Sequence, residues 1–102
     1  IRAKVGTWIY GVDDDDLAAL VLQQLRDRAL KIAVAESCTG GMLGMRLTAV
    51  PGSSDVVDGG AIAYANRVKV RELGVREATL QAHGAVSEET AREMASGVRT
   101  RF

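Results

Sequence analysis

Short apolar runs alternate along the chain with longer stretches in which apolar residues recur at helical spacing. The short runs predict two buried strands, at 31–35 and 61–65, because continuous apolar segments of this length are typical of parallel strands. The longer stretches predict helices at 14–28, 41–50, 67–73 and from 87 onward, with a short helix or turn at 75–83. Strand, helix and strand in this order form a βαβ unit, so the pattern predicts an α/β fold.

Capping residues and glycines set the expected ends of these helices. Asn66 and Ser87 are candidate N-caps, while Gly74 and Gly84 each stand where a glycine ends a helix. The expected buried stripe of the last helix is Ala91, Met94, Ala95, Val98 and Phe102. That of the first helix is Leu17, Leu20, Val21, Gln24 and Arg28, with Leu25 and Ala29 at its flank.

The two chain ends suggest a fragment of a longer protein. The chain begins with Ile1 rather than Met and ends on Phe102 within a helical pattern, and two strands are too few for a finished sheet. We expect residues 1–12 to be a linker or tail from a preceding domain. Residues 13–102 are then the N-terminal part of one domain that is truncated at its C-terminal end.

The composition narrows the classes of function. Thirteen basic and thirteen acidic residues give a net charge of zero, which argues against a nucleic-acid or membrane surface held by bulk charge. A single Cys excludes an internal disulfide and fits a reducing cytosol, so we expect a cytoplasmic location. One His and one Cys cannot build a Cys/His zinc site. No apolar run is long enough to span a membrane.

The polar run Glu-Ser-Cys-Thr-Gly-Gly at 36–41 lies between the first predicted strand and the second helix and is the candidate site. Backbone N–H groups at a helix start bind anions, and Ser37 beside them is a candidate nucleophile. Thr39, Gly40 and Gly41 suit backbone contacts to a phosphate or an oxyanion. The alternative is a turn that needs glycines only for its geometry. The spacing matches neither a Walker loop nor a dinucleotide fingerprint.

A nucleophilic serine needs a base, and two residues are candidates. Lys69 follows the second predicted strand, and neighbouring parallel strands bring their carboxyl ends to one edge, so Lys69 and Ser37 could meet there. A lysine acts as a base only when it is neutral, and a surface lysine on a helix is the alternative interpretation. His83, the only histidine, is expected to be a turn residue.

Four further side chains have a chemical and a structural interpretation each. Cys38 could be the nucleophile, or a small buried apolar residue. Tyr64 could donate a hydrogen bond to substrate or to Ser37, or pack within the strand. Ser53 and Ser54 could hold polar ligand atoms, or cap a helix.

Several motifs together resemble one known family. They are Ala-Glu-Ser-Cys-Thr-Gly-Gly at 35–41, Pro-Gly-Ser-Ser at 51–54, Gly-Gly at 59–60, Ala-Tyr-Ala-Asn at 63–66 with Lys69, Leu-Gly-Val at 73–75, His-Gly-Ala-Val-Ser at 83–87 and Glu-Met-Ala at 93–95. In this order and spacing, from about residue 13 onward, the chain resembles the C-terminal domain of the competence/damage-inducible protein CinA, the nicotinamide-nucleotide amidohydrolase family.

The resemblance implies a fold and an activity. The fold is a three-layer α/β/α sandwich with a largely parallel or mixed sheet, usually as a homodimer. The reaction is deamidation of nicotinamide mononucleotide, a pyridine mononucleotide, to nicotinic acid mononucleotide and ammonia in pyridine-nucleotide recycling, with no metal or other cofactor. By position, Ser37 would be the acyl-forming nucleophile, Lys69 its base and Tyr64 an assisting residue. The implied substrate contacts are Cys38, Thr39, Gly40, Gly41, Ser53 and Ser54.

The chain departs from the family pattern in two places. Ala65 stands where the family usually has Ser. The chain also ends before the family's second glycine-rich motif, an Ile-Ala-Gly-Pro-like loop followed by a Lys-Pro-Val-Gly strand, which supplies central strands and part of the pocket. The expected amidohydrolase is therefore the parent protein, and this chain alone could be inactive. The alternatives are a non-catalytic nucleotide-binding or phosphate-binding module and a competence- or damage-associated interaction module.

Overall fold

The computed structural model describes residues 14–102, with side chains from residue 17 onward. The elements are α1 (Asp14–Asp27), β1 (Ile32–Glu36), α2 (Met42–Thr48), a 3₁₀ turn (Ser53–Asp55), β2 (Val57–Ile62), α3 (Asn66–Leu73), α4 (Glu77–His83) and α5 (Glu88–Arg101). The linker expected at 1–12 lies outside the described residues. None of the helices described here is long and apolar enough to cross a bilayer.

The two strands pair in parallel, and helices cover both faces of the sheet. Alternate residues of β1 serve two separate apolar clusters. Ile32 and Val34 pack on the side of α1 and α2, where the buried residues are Ala18, Leu22, Leu47 and Val56. Ala33 and Ala35 pack on the side of α3, α4 and α5, where the buried residues are Ala63, Leu73, Val75, Met94 and Val98. The chain is therefore a three-layer α/β/α structure, as the resemblance implies.

A bulge in β2 changes which side chains face which layer. Ile32 pairs with Val57, but the next residue of β1, Ala33, pairs with Gly59, so Asp58 has no partner in the register. One extra residue moves every later side chain to the opposite face of a strand. As a result Val57 packs with the cluster of α1 and α2, while Ala61 packs with the cluster of α3 to α5.

The predicted position of the second strand is wrong by about four residues. The strand covers Val57–Ile62 instead of 61–65, so Tyr64 follows the strand. The expected strand begins after Gly59-Gly60, but both glycines lie within β2. A Cβ atom at Gly60 would collide with the carbonyl oxygen of Val34 in the paired strand, so the close approach of the two strands requires glycine there.

The expected helix ends are mostly confirmed. Ser87 caps α5, since its Oγ accepts a hydrogen bond from the Thr90 amide at 3.1 Å. Gly74 ends α3 with a φ of 70°, and Gly84 follows α4. The Asn66 cap is wrong, because Ala65 is the N-cap of α3 without a side-chain hydrogen bond and Asn66 is already helical. Helix α2 is shorter than the predicted 41–50.

The expected buried stripes are correct only in part. In α5, Met94 and Val98 are buried, but Ala91 and Ala95 are exposed and Phe102 is half exposed. The stripe instead includes Thr90, whose hydroxyl donates to the Gly84 carbonyl at 2.7 Å and can therefore be buried. In α1 the core residues are Ala18, Leu22 and Leu25, whereas Leu17 and Leu20 are exposed. A small residue, Ala18, occupies the core-facing position that the pattern assigned to leucines.

Helix α5 packs directly against the end of α3 at Gly97. A Cβ atom there would collide with the backbone of Leu73. In an unconstrained helix, Gly-to-Ala replacement stabilises by about 1 kcal/mol, but here it forces the two helices apart.

We expect Gly97→Ala to lower the free energy of unfolding by about 1–3 kcal/mol, the usual cost of overpacking. Equilibrium urea unfolding measures this. Ser96→Ala, at an exposed position on the same helix, is the matched control and should change stability by no more than about 0.5 kcal/mol. A Gly97→Ala protein that is more stable than the unmodified one would contradict the packing described here.

Candidate active site

The loop at 37–41 leaves the carboxyl end of β1 and leads into α2. Its path depends on Gly40 and Gly41, which have φ values of 61° and 112°. Two backbone hydrogen bonds of 3.1 Å close the turn, from the Gly40 amide to the Ser37 carbonyl and from the Met42 amide to the Thr39 carbonyl. Gly40 and Gly41 are therefore required for the geometry of this turn, as the structural interpretation of the loop expects. This requirement does not exclude a chemical role for the loop.

The side chain of Glu36 organises this loop. It is buried at the last position of β1, with 3% of its surface exposed. Its Oε1 accepts hydrogen bonds from the Thr39 hydroxyl at 2.7 Å, the Gly41 amide at 3.1 Å and the Leu43 amide at 2.9 Å. Its Oε2 accepts from the Gly44 amide at 2.8 Å. The carboxylate thus satisfies amides at the start of α2 that have no partner within the helix.

Two opposing effects act on the pKa of Glu36. Burial is the largest single influence and raises the pKa, because it disfavours the charged form. The hydrogen bonds from the Thr39 hydroxyl and from the three backbone amides together outweigh it, so the pKa lies below its ordinary value of 4.5. Glu36 belongs to the polar run at 36–41, but the sequence alone gives it no role. An acid at a strand end just before a Gly-Gly helix start is the signal that could have revealed it.

Internal bonds leave few amides of the loop for a ligand. The Gly40 amide donates to Ser37 and the Gly41 amide donates to Glu36, as do amides in the first turn of α2. Within the described part of the chain, the amides of Ser37, Cys38 and Thr39 donate to no protein acceptor. These three N–H groups are therefore the donors that the loop can offer to an oxyanion.

Lys69 lies at the same end of the sheet as Ser37. The Ala63 amide donates to the Glu36 carbonyl at 2.8 Å, which holds the chain after β2 beside the end of β1. Tyr64 follows Ala63 in the chain, and its carbonyl accepts a hydrogen bond from Lys69 Nζ at 2.6 Å. Lys69 is 1% exposed, so the surface-lysine interpretation is wrong. Among residues 17–102 no hydrogen bond joins Lys69 to Ser37.

The other predicted site residues are spread over the chain. Cys38 is exposed in the loop, so it is not a buried apolar residue. Tyr64 is also exposed, at 73%. His83 is the last residue of α4, with Nδ1 3.7 Å from Glu89 Oε2.

Ser53 and Ser54 lie at the other end of the sheet. Ser53 is buried, and its Oγ donates to the Thr48 carbonyl at the C-terminal end of α2, at 3.2 Å. The Val56 carbonyl, just after the 3₁₀ turn, accepts from the Ile32 amide at the start of β1. Since β1 is five residues long, roughly 16 Å separates that end from the loop. Within one chain these two serines do not join the Ser37 loop.

A groove of about 700 Å³ opens beside the loop. Its floor is β1 and one end is formed by 37–39. Side chains from α2 and α5 form its walls, among them Met42, Leu43, Arg46, Met94 and Val98. In the described structure β1 pairs with β2 on one edge only, and the groove runs along this strand. Within residues 17–102, no cluster of three or more His, Cys, Asp or Glu side chains could hold a metal ion.

Residues 14–102 match the family model described as the CinA C-terminal domain. The chain belongs to this family. It is 67% identical over its whole length to a CinA-like protein of Gemmatimonas aurantiaca, of which it spans 24%. Among solved structures it is similar to a competence/damage inducible protein from Agrobacterium tumefaciens, with 41% identity and a TM-score of 0.83. A competence or damage-inducible protein from Enterobacter asburiae shows 36% identity and a TM-score of 0.85.

The two solved proteins contain more chain than the present one. They match 91% and 89% of this chain, which in turn covers 56% and 57% of theirs. This CinA domain therefore spans about a quarter of the length of the curated relative and just over half of the solved chains.

The lowered pKa of Glu36 makes part of the stability depend on pH. The unfolded state binds the proton of the Glu36 carboxyl more readily than the folded state does. The stability that Glu36 contributes is therefore complete above pH 4.5 and is lost as the pH falls through the pKa of the folded state. We expect the difference in unfolding free energy between the unmodified protein and Glu36→Gln to shrink from about pH 7 to about pH 3. Urea unfolding across this range measures it.

The comparison with Glu36→Gln removes the contributions of other groups. Asp55 and Glu93 also have a lowered pKa, and both variants retain them. A difference in unfolding free energy that stays constant over this pH range would contradict the hydrogen-bonded carboxylate described here.

Proposed function

We propose that the protein containing this chain hydrolyses the carboxamide of nicotinamide mononucleotide, giving nicotinic acid mononucleotide and ammonia, with Ser37 as nucleophile and Lys69 as base. The observation that carries the proposal is the buried Lys69 amine, held by the Tyr64 carbonyl at the carboxyl end of the sheet where Ser37 begins its loop. Lysines that serve as general bases occupy such buried positions. The family membership supports the same reaction class.

The alternation of β1 supports the pairing of these two residues. Ala35, two residues before Ser37, packs on the side of α3 to α5, and Lys69 belongs to α3. Glu36, between Ala35 and Ser37, bonds to α2 on the opposite side. Side chains two residues apart share a face of a strand. Ser37 is the first residue after β1, and in this proposal its side chain continues the row of Ala33 and Ala35 toward the layer that carries Lys69.

The proposed reaction is acyl transfer in two halves. Lys69 accepts the hydroxyl proton as Ser37 Oγ bonds to the amide carbon, and the C–N bond then breaks as the proton passes to the departing ammonia. Water attacks the resulting ester, Lys69 takes its proton, and Ser37 recovers it when the acid leaves. In this proposal the amides of Ser37, Cys38 and Thr39 stabilise the oxyanion of each tetrahedral intermediate. In this proposal Tyr64 assists the transfers and the active protein is a homodimer.

We expect Ser37→Ala and Lys69→Met each to lower ammonia release from nicotinamide mononucleotide by at least about 1,000-fold while substrate affinity stays nearly constant. Methionine fills the buried space of Lys69 and removes only the amine. The assay uses the protein at its natural length, beside the 102-residue chain, with calorimetric titration for affinity.

Lys31→Met is the matched control. Lys31 is an exposed lysine whose Nζ donates to the Asp55 carbonyl at the other end of the sheet, so its replacement should leave turnover unchanged. Ammonia release that persists in Ser37→Ala would refute the mechanism.

A second candidate is a nucleotide-binding module that performs no reaction. The absence of a hydrogen bond between Ser37 and Lys69 in residues 17–102, beside a groove with three available amides, favours it. Nicotinamide mononucleotide would then raise the melting temperature of the natural-length protein without releasing ammonia. Release of ammonia in step with substrate binding would exclude this module.

A further inference from the structure

We propose that Glu36 is a positioning residue for the Ser37 nucleophile and that it confines the oxyanion donors of the loop to the amides of Ser37, Cys38 and Thr39. The inference rests on the proposed function, because it assigns a role around the same serine. Glu36 itself touches no reacting atom in this scheme. It acts by fixing the backbone that follows it.

The first step of the argument is that Glu36 is anchored in two layers. Its backbone belongs to the sheet, where its carbonyl accepts the Ala63 amide at 2.8 Å. Its carboxylate accepts hydrogen bonds from Thr39 and Gly41 in the loop, and from Leu43 and Gly44 in α2. Ser37 is the next residue after Glu36, so its backbone starts from a point that sheet and helix both hold.

The second step is that Gly44 lets the start of α2 pack closely against the Glu36 carboxylate. A Cβ atom at Gly44 would lie 3.3 Å from Glu36 Oε2 and 3.7 Å from a methyl group of Val34. The absence of a side chain at this position lets the first turn of α2 approach the carboxylate. Glutamate has the length to bridge this distance from the strand while its oxygens stay buried and fully hydrogen-bonded.

The third step concerns charge. A helix N-terminus normally attracts anions through its free amides and its dipole. In α2 the Glu36 carboxylate already occupies the amides of Gly41, Leu43 and Gly44 and carries a negative charge. A substrate phosphate therefore gains little there, and Gly40 and Gly41 contribute loop geometry rather than donors. The developing oxyanion is left with the amides of Ser37, Cys38 and Thr39.

The competing interpretation is that Glu36 only stabilises a helix, and Glu93 provides the matched control. Glu93 accepts the Arg76 amide at 2.9 Å and the Thr79 hydroxyl at 2.6 Å, and so joins the start of α4 to α5. It pairs a carboxylate with the same kinds of donor as Glu36, and neither donor belongs to the Ser37 loop. Replacing Glu93 disturbs a similar network without touching the candidate nucleophile.

The experiment compares Glu36→Gln with Glu93→Gln in the natural-length protein. Glutamine keeps the shape of the side chain, but its NH₂ group cannot accept a hydrogen bond, so at least one donor of the Glu36 network loses its acceptor. We expect both variants to lower the melting temperature. Only Glu36→Gln should lower kcat for nicotinamide mononucleotide, by about 100-fold, the loss typical of a misplaced reacting group, while KM changes by less than about threefold.

Two measurements without substrate separate this proposal from the proposed function. Glu36→Gln should speed hydrogen exchange at the Gly41, Leu43 and Gly44 amides. It should also slow the labelling of Ser37 by a fluorophosphonate, read by mass spectrometry, relative to both the unmodified protein and Glu93→Gln. These readouts hold even if nicotinamide mononucleotide is not the substrate.

The outcomes are distinct. A kcat for Glu36→Gln equal to that of Glu93→Gln, with Ser37→Ala inactive, would overturn the role of Glu36 and leave the amidohydrolase intact. If the unmodified protein releases no ammonia, the proposed function fails, and the labelling of Ser37 decides the role of Glu36. Equal labelling in the two variants, or no labelling of Ser37 in the unmodified protein, would overturn it.

Discussion

The hydrogen bonds of the Glu36 carboxylate are the interaction on which the loop and the start of α2 depend. A charged group with 3% exposure is costly to bury unless its partners are complete. Here the partners are a hydroxyl and three backbone amides. The four donors stabilise the buried charge, and the carboxylate in turn gives the amides at the start of α2 an acceptor. The conformation of the loop is the one that makes both possible.

The interior contains other polar side chains held in the same way. Glu36, Ser53, Lys69, Thr79 and Thr90 are all buried. Within the described residues, no buried side-chain nitrogen or oxygen lacks a hydrogen-bond partner. Like Glu36, the other four form hydrogen bonds across element boundaries: Lys69 to the chain after β2, Ser53 to the end of α2, Thr79 to α5 and Thr90 to the end of α4. Such contacts fix the relative position of elements more specifically than apolar packing does.

Much of the fold could be predicted because local signals agree with the final structure. The βαβ order, the Ser87 cap and the Gly74 helix end follow from residue types and spacing. The position of β2 could not, because Gly59 and Gly60 look like a turn until their contact with β1 is known. For the site, the sequence indicated the Ser37 loop and Lys69, whereas Glu36 acts through bonds that only the folded chain reveals.

The Asp58 bulge shifts the alternation of side chains in β2 by one residue. After the bulge, each position of the strand faces the helical layer opposite to the one that a regular strand would give it. The phase of β2 therefore depends on this bulge as well as on the residue types. In a regular strand of the same sequence, the four-residue spacing of Val57 and Ala61 would place both side chains in the same row, and one of the two helical layers would then meet the wrong side chain. A surface aspartate with no pairing partner thus keeps both layers in phase.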